Sequence, residues 1–517
     1  MKSLKHWVFW PPFLLVVVAS ILSFTNEGAF TTITTGANDW VITNVGWVFS
    51  LAGLFMVFVC VGVYFSKLGK VRIGGENAKP LLSFRNWFAI TLTTTIAAGI
   101  TFWGIVEPIY HLTEPPASMN LEPNSAAAAM FSMSTMYLHW TITPYAIYCI
   151  PALMFAFAYY NMKQPFSISS TLAPLLGDKL HGKWGKVIDA MCLYTLALGM
   201  AAAMGTSILN LSGGVNYLSG IASAPGLWAI VAAVVMITFI ISASTGLMKG
   251  IRILSDINFK LFLFIIAFIF LVGPTAYLLN LGTESFGHYI THFFEKSLFT
   301  GAAADDQWPQ WWTTFYWANW FSWAAITALF LGRIAYGHTV RSFIIVNFVL
   351  PSFFGGIWMT IFGGTSIYMQ MTDGNLGDIL TNSGPEALVY AVMGAIPFSE
   401  IIIPLYLFIV FIAFVTAADS TLAAMGGISS TGITPKSPEP GILIKAIWGV
   451  TISVVAWVMI SFAQTDGIKM LSNLGGVPAV ILGITIIFAL IKVAKSPEKY
   501  DKTIKDSSEE NDHKKAG

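Results

Sequence analysis

The sequence predicts an all-α polytopic membrane protein with twelve transmembrane helices, and two observations carry that prediction. Of its residues, 56% are hydrophobic and only 10% charged, with a mean hydropathy of +0.70, outside the range of soluble globular chains. Continuous apolar runs, each about 20 residues and so long enough to cross a bilayer, recur along nearly the whole length. They are unbroken rather than alternating, which excludes a β-barrel.

The runs fall at about 7–25, 45–65, 86–110, 139–160, 187–210, 227–246, 257–280, 312–332, 343–365, 401–423, 443–463 and 468–491. The first contains Pro11-Pro12 and no small-residue cleavage site, so it reads as a retained helix rather than a signal peptide. The third holds Ile96-Ala97-Ala98-Gly99 after Thr91 and Thr93 to Thr95. Small residues there allow close helix contact, or a local break whose carbonyls face a ligand or ion. The fourth carries His139-Trp140, Pro144, Tyr145 and Tyr148; Pro144 is expected to free a carbonyl and bend the helix.

The eighth run is the most informative. Six of the 18 tryptophans lie between Trp308 and Trp323. On a helix turning about 100° per residue, Trp312, Tyr316, Trp320 and Trp323 share one face and span roughly 16 Å. A headgroup-level aromatic belt is shallower than that, so the stripe continues into the bilayer. Aromatic faces inside a protein suit a cation that has no hydrogen-bond donors, because the ring quadrupole attracts it. The alternative is ordinary aromatic helix packing. In the tenth run Asp419 is a functional candidate by its cost in lipid, or a tie to a neighbouring helix. Glu107, Asp189 and Lys260 read as helix-end or snorkelling groups.

All but three of the 27 Lys and Arg residues fall on the side of the two termini, the exceptions being Lys260, Lys296 and Lys469. Both termini are therefore expected to be cytoplasmic. Residues 1–490 form a single membrane domain, and 491–517 a Lys/Glu/Asp/Ser-rich tail without structure of its own. External segments 281–311 and 366–400 are long enough for interfacial or re-entrant helices. Cys60, Cys149 and Cys192 lie inside runs, with no disulfide or metal spacing. No soluble basic patch suggests nucleic acid, and no nucleophile–base pair or metal cluster in an accessible segment suggests an enzyme.

Several motifs together resemble the betaine/choline/carnitine transporter family. They are Trp103-Gly104 with Glu107-Pro108, His139-Trp140 with Pro144 and Tyr148, Lys249-Gly250-Ile251 with Leu254-Ser255, the run Trp312 to Trp323 followed by Phe330 to Arg341, and Val415-Thr416 with Asp419-Ser420. They occur in the family's order from about residue 8 to 490. Leu121 to Ser125, Ser169 to Gly177 and Met204 to Ser207 are closest to the carnitine/γ-butyrobetaine exchanger branch. The resemblance implies ten helices as two inverted five-helix repeats (spans 3–7 and 8–12), a homotrimer in the plasma (cytoplasmic) membrane, and alternating access around an aromatic box at the membrane midplane.

Carried onto this chain, the box comprises Trp140, Tyr145, Tyr148 and Trp320, with Trp323 on the path toward the cytoplasm. Tyr316, Asn319 and Gly99 complete the candidate substrate site. Tyr145 and Asn319 stand where the family usually has Trp, and span 3 has fewer glycines than betaine carriers. Sodium-coupled members present Thr-Ser in span 10, where this chain has Thr416-Ala417; a second site would keep Thr206 but has Ala202 for its partner. The sodium-independent exchangers place Arg where this chain has Asn258. A coupling sodium, with Thr416 and Thr206 among its ligands, is thus left open. The expected substrate is a small quaternary ammonium or sulfonium compound such as glycine betaine, carnitine, γ-butyrobetaine or choline. The alternatives are a transporter-like sensor without coupled turnover, or the same fold carrying an amino acid or other amine.

Overall fold

The computed structural model describes residues 4–244, 247–433 and 439–504, and these are helices and connecting loops with isolated β-bridges only. The end of the charged tail beyond 504 lies outside the described residues, as do the side chains of residues 96–98, 244, 247–252 and 326.

The first seven spans are α1 (His6–Thr25), α2 (Glu27–Phe65), α3 (Phe84–Thr113), α4 (Ala126–Trp140) running on into α5 (Ile142–Ala156), α6 (Lys183–Ser219), α7 (Pro225–Ser244) and α8 (Leu247–Val272). After the connecting helix α9 (Thr275–Thr291) come α10 (Phe315–Ile334), α11 (Val340–Asp373), α12 (Ser399–Ser429) and α13 (Ile442–Lys495). Nine described helices are long and apolar enough to cross a membrane, ten with the bent α3, whose halves Phe84–Thr95 and Gly99–Thr113 meet at 54°. The count of twelve adds α10, which is less apolar because of Tyr316, Asn319 and its tryptophans, and divides α13. At 54 residues α13 is about 80 Å long, more than twice the hydrocarbon thickness. Its backbone leaves helical geometry at Ala463 and Gln464, making two spans.

Two boundaries differ from expectation. The seventh span stops at Val272 rather than near 280, because Gly273-Pro274 cannot continue the ladder. The chain restarts as α9, the expected interfacial helix begun earlier; Tyr289 is buried while Phe286 and Ile290 are exposed. At the other end, the last span runs to Lys495, and Lys502 N donates to the Asn161 carbonyl at 2.9 Å, so the chain stays docked well past residue 490. The segment 366–400 forms helices Leu376–Ser383 and Pro385–Gly394, separated by Gly384 at φ 88°.

Both ends of the described chain lie on one face of the bundle. Lys5 N donates to the Ser429 carbonyl at 2.8 Å, and Asn161 Nδ2 donates to Asp501 at 2.9 Å. The helix pairing also repeats after five spans. Span 3 (α3) packs on span 7 (α8) and span 10 (α12); span 8 (α10) packs on span 12, with Ser322 Oγ donating to the Ser472 carbonyl at 3.1 Å, and on span 5 (α6). An offset of five crossings reverses direction across the membrane, so the ten helices form two inverted five-helix units.

Candidate functional site

The site is built around a break in the fourth span. α4 ends at Trp140 because Thr141 takes φ −122° and ψ −106°. The interruption falls there and not at Pro144, which sits in the first turn of α5 where a missing N–H is tolerated. The break leaves the His139 carbonyl free to accept from Trp320 Nε1 at 3.0 Å.

Between α3, α4–α5, α6, α10 and the second half of α13 lies a cavity of about 40 Å³. Trp140, Tyr148, Trp320, Trp323, Asn319 and Gly99 all line it. Trp320 stands at the centre of the rings: its centroid lies 5.4 Å from Trp140, 5.0 Å from Tyr148 and 5.9 Å from Tyr145, each pair tilted or edge-to-face. Such tilted and edge-to-face pairs are the arrangements that ring quadrupoles favour. Sequence reasoning did not place Trp103, Phe315, Thr95, Ala203 or Ile468 in this wall. Trp103 and Phe315 belong to runs already singled out, but only the fold shows which way they point.

Two expected members are not in the wall. Tyr145 touches Trp320 from behind; its ring is fully buried and its hydroxyl has no partner among the described residues. Tyr316 donates to Glu107 at 2.5 Å instead of facing the cavity. The stripe is not one straight face either: a π-helical turn at Gln310–Thr314 precedes α10, and Trp312 packs against Tyr110, His111 and Trp103.

Glu107 is the main residue the sequence reading misplaced. It is no helix-end group but lies inside α3, fully buried. Its Oε1 accepts from His139 Nδ1 at 2.6 Å and His111 Nε2 at 3.0 Å, and its Oε2 accepts from Trp140 Nε1 at 2.8 Å and from Tyr316. The following Pro108 suggested a helix end, yet the helix continues to Thr113. The cue available in sequence was the pairing of Glu107 with His111 one turn later. Asp419 acts as a tie between helices, accepting from Ser242 at 2.8 Å.

The candidate ion ligands are dispersed. Thr206 lines the cavity and donates to the Ala202 carbonyl at 3.2 Å. Thr416, buried in α12, donates to the Ile412 carbonyl at 2.8 Å. Both hydroxyl oxygens keep acceptor capacity. Asn258, at the arginine position of the exchangers, is fully buried, and both polar atoms of its amide lack partners among the described residues, as does the Ser255 hydroxyl one turn away.

Residues 7–499 match the family model described as BCCT, betaine/carnitine/choline family transporter. The chain belongs to this family. It is 30% identical over 507 residues to the glycine betaine transporter OpuD of Bacillus subtilis, covering 97% of this chain and 96% of that protein. It is 29% identical over 458 residues to a probable glycine betaine transporter of Desulfitobacterium hafniense, covering 88% and 90%. The betaine/ectoine transporter LcoP of Corynebacterium glutamicum is 31% identical over 490 residues, covering 92% and 76%. This BCCT chain is thus a membrane transporter and not an enzyme, of a family named for small methylated ammonium solutes.

Proposed function

We propose that the chain is a secondary active transporter of a small quaternary ammonium (or sulfonium) solute such as glycine betaine, carnitine, γ-butyrobetaine or choline, working by alternating access. The observation that carries this reading is the cavity wall: Trp140, Tyr148, Trp320 and Trp323 face one space that no charged side chain among the described residues lines. A primary ammonium there would lose its hydrogen bonds to water and find few acceptors. A methylated cation has none to lose, and each desolvated ring contact is worth about 2 kcal/mol.

Asn319 supplies the second half of recognition. Its Oδ1 accepts from Ser472 at 3.1 Å, which leaves the amide N–H₂ to donate to a substrate carboxylate. The cavity of about 40 Å³ has room for a few waters rather than a trimethylammonium group, so binding requires the wall to move. Alternating access supplies such movement, by opening the site to one side of the membrane at a time. The names of LcoP and other relatives favour betaine as the first probe. A second reading, a solute such as ectoine that offers hydrogen-bond acceptors, is favoured by the Asn319 amide in the cavity wall and by the ectoine carriers among the relatives.

The Lys and Arg asymmetry supports cytoplasmic termini in the plasma membrane. The exposed Phe286 and Ile290 on α9, with Phe294 just after it, are compatible with a homotrimer. On coupling, Asn258 and Ser255 with Thr416 leave oxygen ligands for an ion but no full set, and Thr206 lacks a hydroxyl partner at Ala202.

The test is uptake of labelled betaine, carnitine and choline into proteoliposomes, with external sodium replaced by potassium. Saturable uptake of at least one compound supports the reading, and its sodium dependence decides the coupling. Absence of uptake for all three, with folded protein in the vesicles, would overturn it.

A further inference from the structure

Lys469 is one of the three basic residues that fall away from the side of the termini, and recognition by the rings leaves it without a task. It follows Ile468, a wall residue, in the second half of α13. That half ends at Lys495, beside the docked chain end and roughly 39 Å away at 1.5 Å per residue, so Lys469 marks the opposite end of the bundle. Its Nζ lies over the Trp312 ring, 4.4 Å from the centroid. Trp312 packs edge-to-face against Trp103, another wall residue, at 6.1 Å. Three residues on from Lys469, on the neighbouring turn of the same helix face, Ser472 donates to Asn319 Oδ1 at 3.1 Å. Asn319 is the wall residue whose amide is free to donate to a substrate carboxylate. An ammonium thus stands one helical turn from the polar corner of the cavity.

Three carboxylates act on this lysine. Asp466 Oδ1 lies 3.8 Å from Nζ, with its side chain 73% exposed against 19% for the lysine. A carboxylate so well solvated is itself screened by water, and leaves the field of the ammonium on its buried side largely intact. Glu107 and Glu114 attract it from a greater distance, and Glu107 is already held by four hydrogen bonds. Asp466 and the Trp312 face both stabilise an ammonium at this place.

We propose that Lys469 is a specificity-determining residue, whose fixed positive charge selects zwitterions over solutes that carry only a cation. The inference rests on the methylated-ammonium reading of the box and narrows the substrate to a methylated ammonium or sulfonium carboxylate. The aromatic faces attract the methylated head of either solute equally. The charge of Lys469 divides them: it opposes a lone cation such as choline, and it attracts a carboxylate seated at Asn319, which lies nearer to it than the head does. Coulomb's law sets the size of the effect. A unit charge about 10 Å from the solute, at an effective dielectric constant near 20, changes affinity roughly tenfold.

The experiment is calorimetric binding of glycine betaine and of its methyl ester to the purified full-length protein. The ester keeps the trimethylammonium head and loses the carboxylate charge. In Lys469→Met the preference for betaine over the ester is expected to fall about tenfold from that of the wild type, with the ester bound more tightly than before. Lys469→Arg, which keeps the charge, is expected to keep the preference. If Lys469→Met does not fold, Lys469→Gln carries the same test. A lysine that only packs on Trp312 would weaken both solutes alike when replaced. A preference that changes less than about twofold in the uncharged variant therefore overturns the proposal and leaves the box reading intact. Failure of the wild type to bind betaine, its ester or choline removes both.

Discussion

The indole nitrogen of Trp140 donates to Oε2 of Glu107 at 2.8 Å, so one wall of the aromatic box is held by a buried carboxylate. Removing this charge while keeping its shape tests the dependence of the box on it. Glu107→Gln leaves two imidazole N–H groups facing an amide that cannot accept from all of them. Hydrogen bonds to charged groups contribute about 1.5–3 kcal/mol each, so a loss of ten- to hundredfold in substrate affinity is expected, read by titration at pH 8. Glu107→Ala is expected to cost several kcal/mol of stability as well, seen as a large drop in melting temperature.

Trp320 contacts three rings of the site. Trp320→Ala is expected to abolish saturable uptake, and Trp320→Phe to retain it at weaker affinity. At about 2 kcal/mol per desolvated cation–π contact, the loss in Trp320→Ala is roughly thirtyfold from that ring alone. Wild-type affinity in Trp320→Ala, with the protein folded, would remove Trp320 from the site.

Glycines near Trp140 separate packing from space. A Cβ at Gly355 would lie 2.4 Å from the Trp140 carbonyl, whereas one at Gly99 would meet the Trp140 ring at 3.5 Å, an ordinary contact. Gly355→Ala is therefore expected to lower the melting temperature sharply. Gly99→Ala is expected to fold normally but to raise KM, because the added methyl occupies a wall of the cavity. Equal melting temperatures for the two variants would contradict the packing described at Trp140.

Lys296 lies outside the spans, with Nζ 2.9 Å from Thr135 Oγ1 and over the Phe131 ring. Burial pushes its ammonium down to about 7 from an ordinary 10.5. The folded protein binds fewer protons at this group than the unfolded chain. Its stabilising contribution is therefore present above about 10.5 and is lost as pH falls toward 7. Lys296→Met removes that cost, so the variant is expected to melt at a higher temperature than wild type at pH 7, with the difference shrinking toward pH 10. A lower melting temperature at pH 7 would show that the lysine stabilises the fold.

The spans were legible because apolar runs of about 20 residues have few other uses, and Trp140, Tyr148, Trp320 and Trp323 were legible because the family motifs fix their order. The facing of individual rings was not. Tyr316 sits on the same predicted stripe as Trp320 yet turns to Glu107, since a buried carboxylate costs more unpaired than a tyrosine hydroxyl saves by facing the cavity. Trp103 enters the wall from α3, which meets α10 only through tertiary packing. Ile468 does so just after the Ala463–Gln464 break, a kink that no proline or glycine at those positions announces. Glu107 was hidden by Pro108, whose usual meaning as a helix end fails here because α3 continues as a buried helix.

The most direct test of the central claim is competition against labelled glycine betaine uptake in proteoliposomes by glycine and its mono-, di- and trimethylated forms. A box of aromatic faces with few hydrogen-bond acceptors predicts inhibition that strengthens with each methyl group and is strongest for the trimethylated compound. Inhibition by glycine equal to or stronger than that by its trimethylated form would mean that hydrogen bonding, and not the ring faces of Trp140, Tyr148, Trp320 and Trp323, selects the substrate.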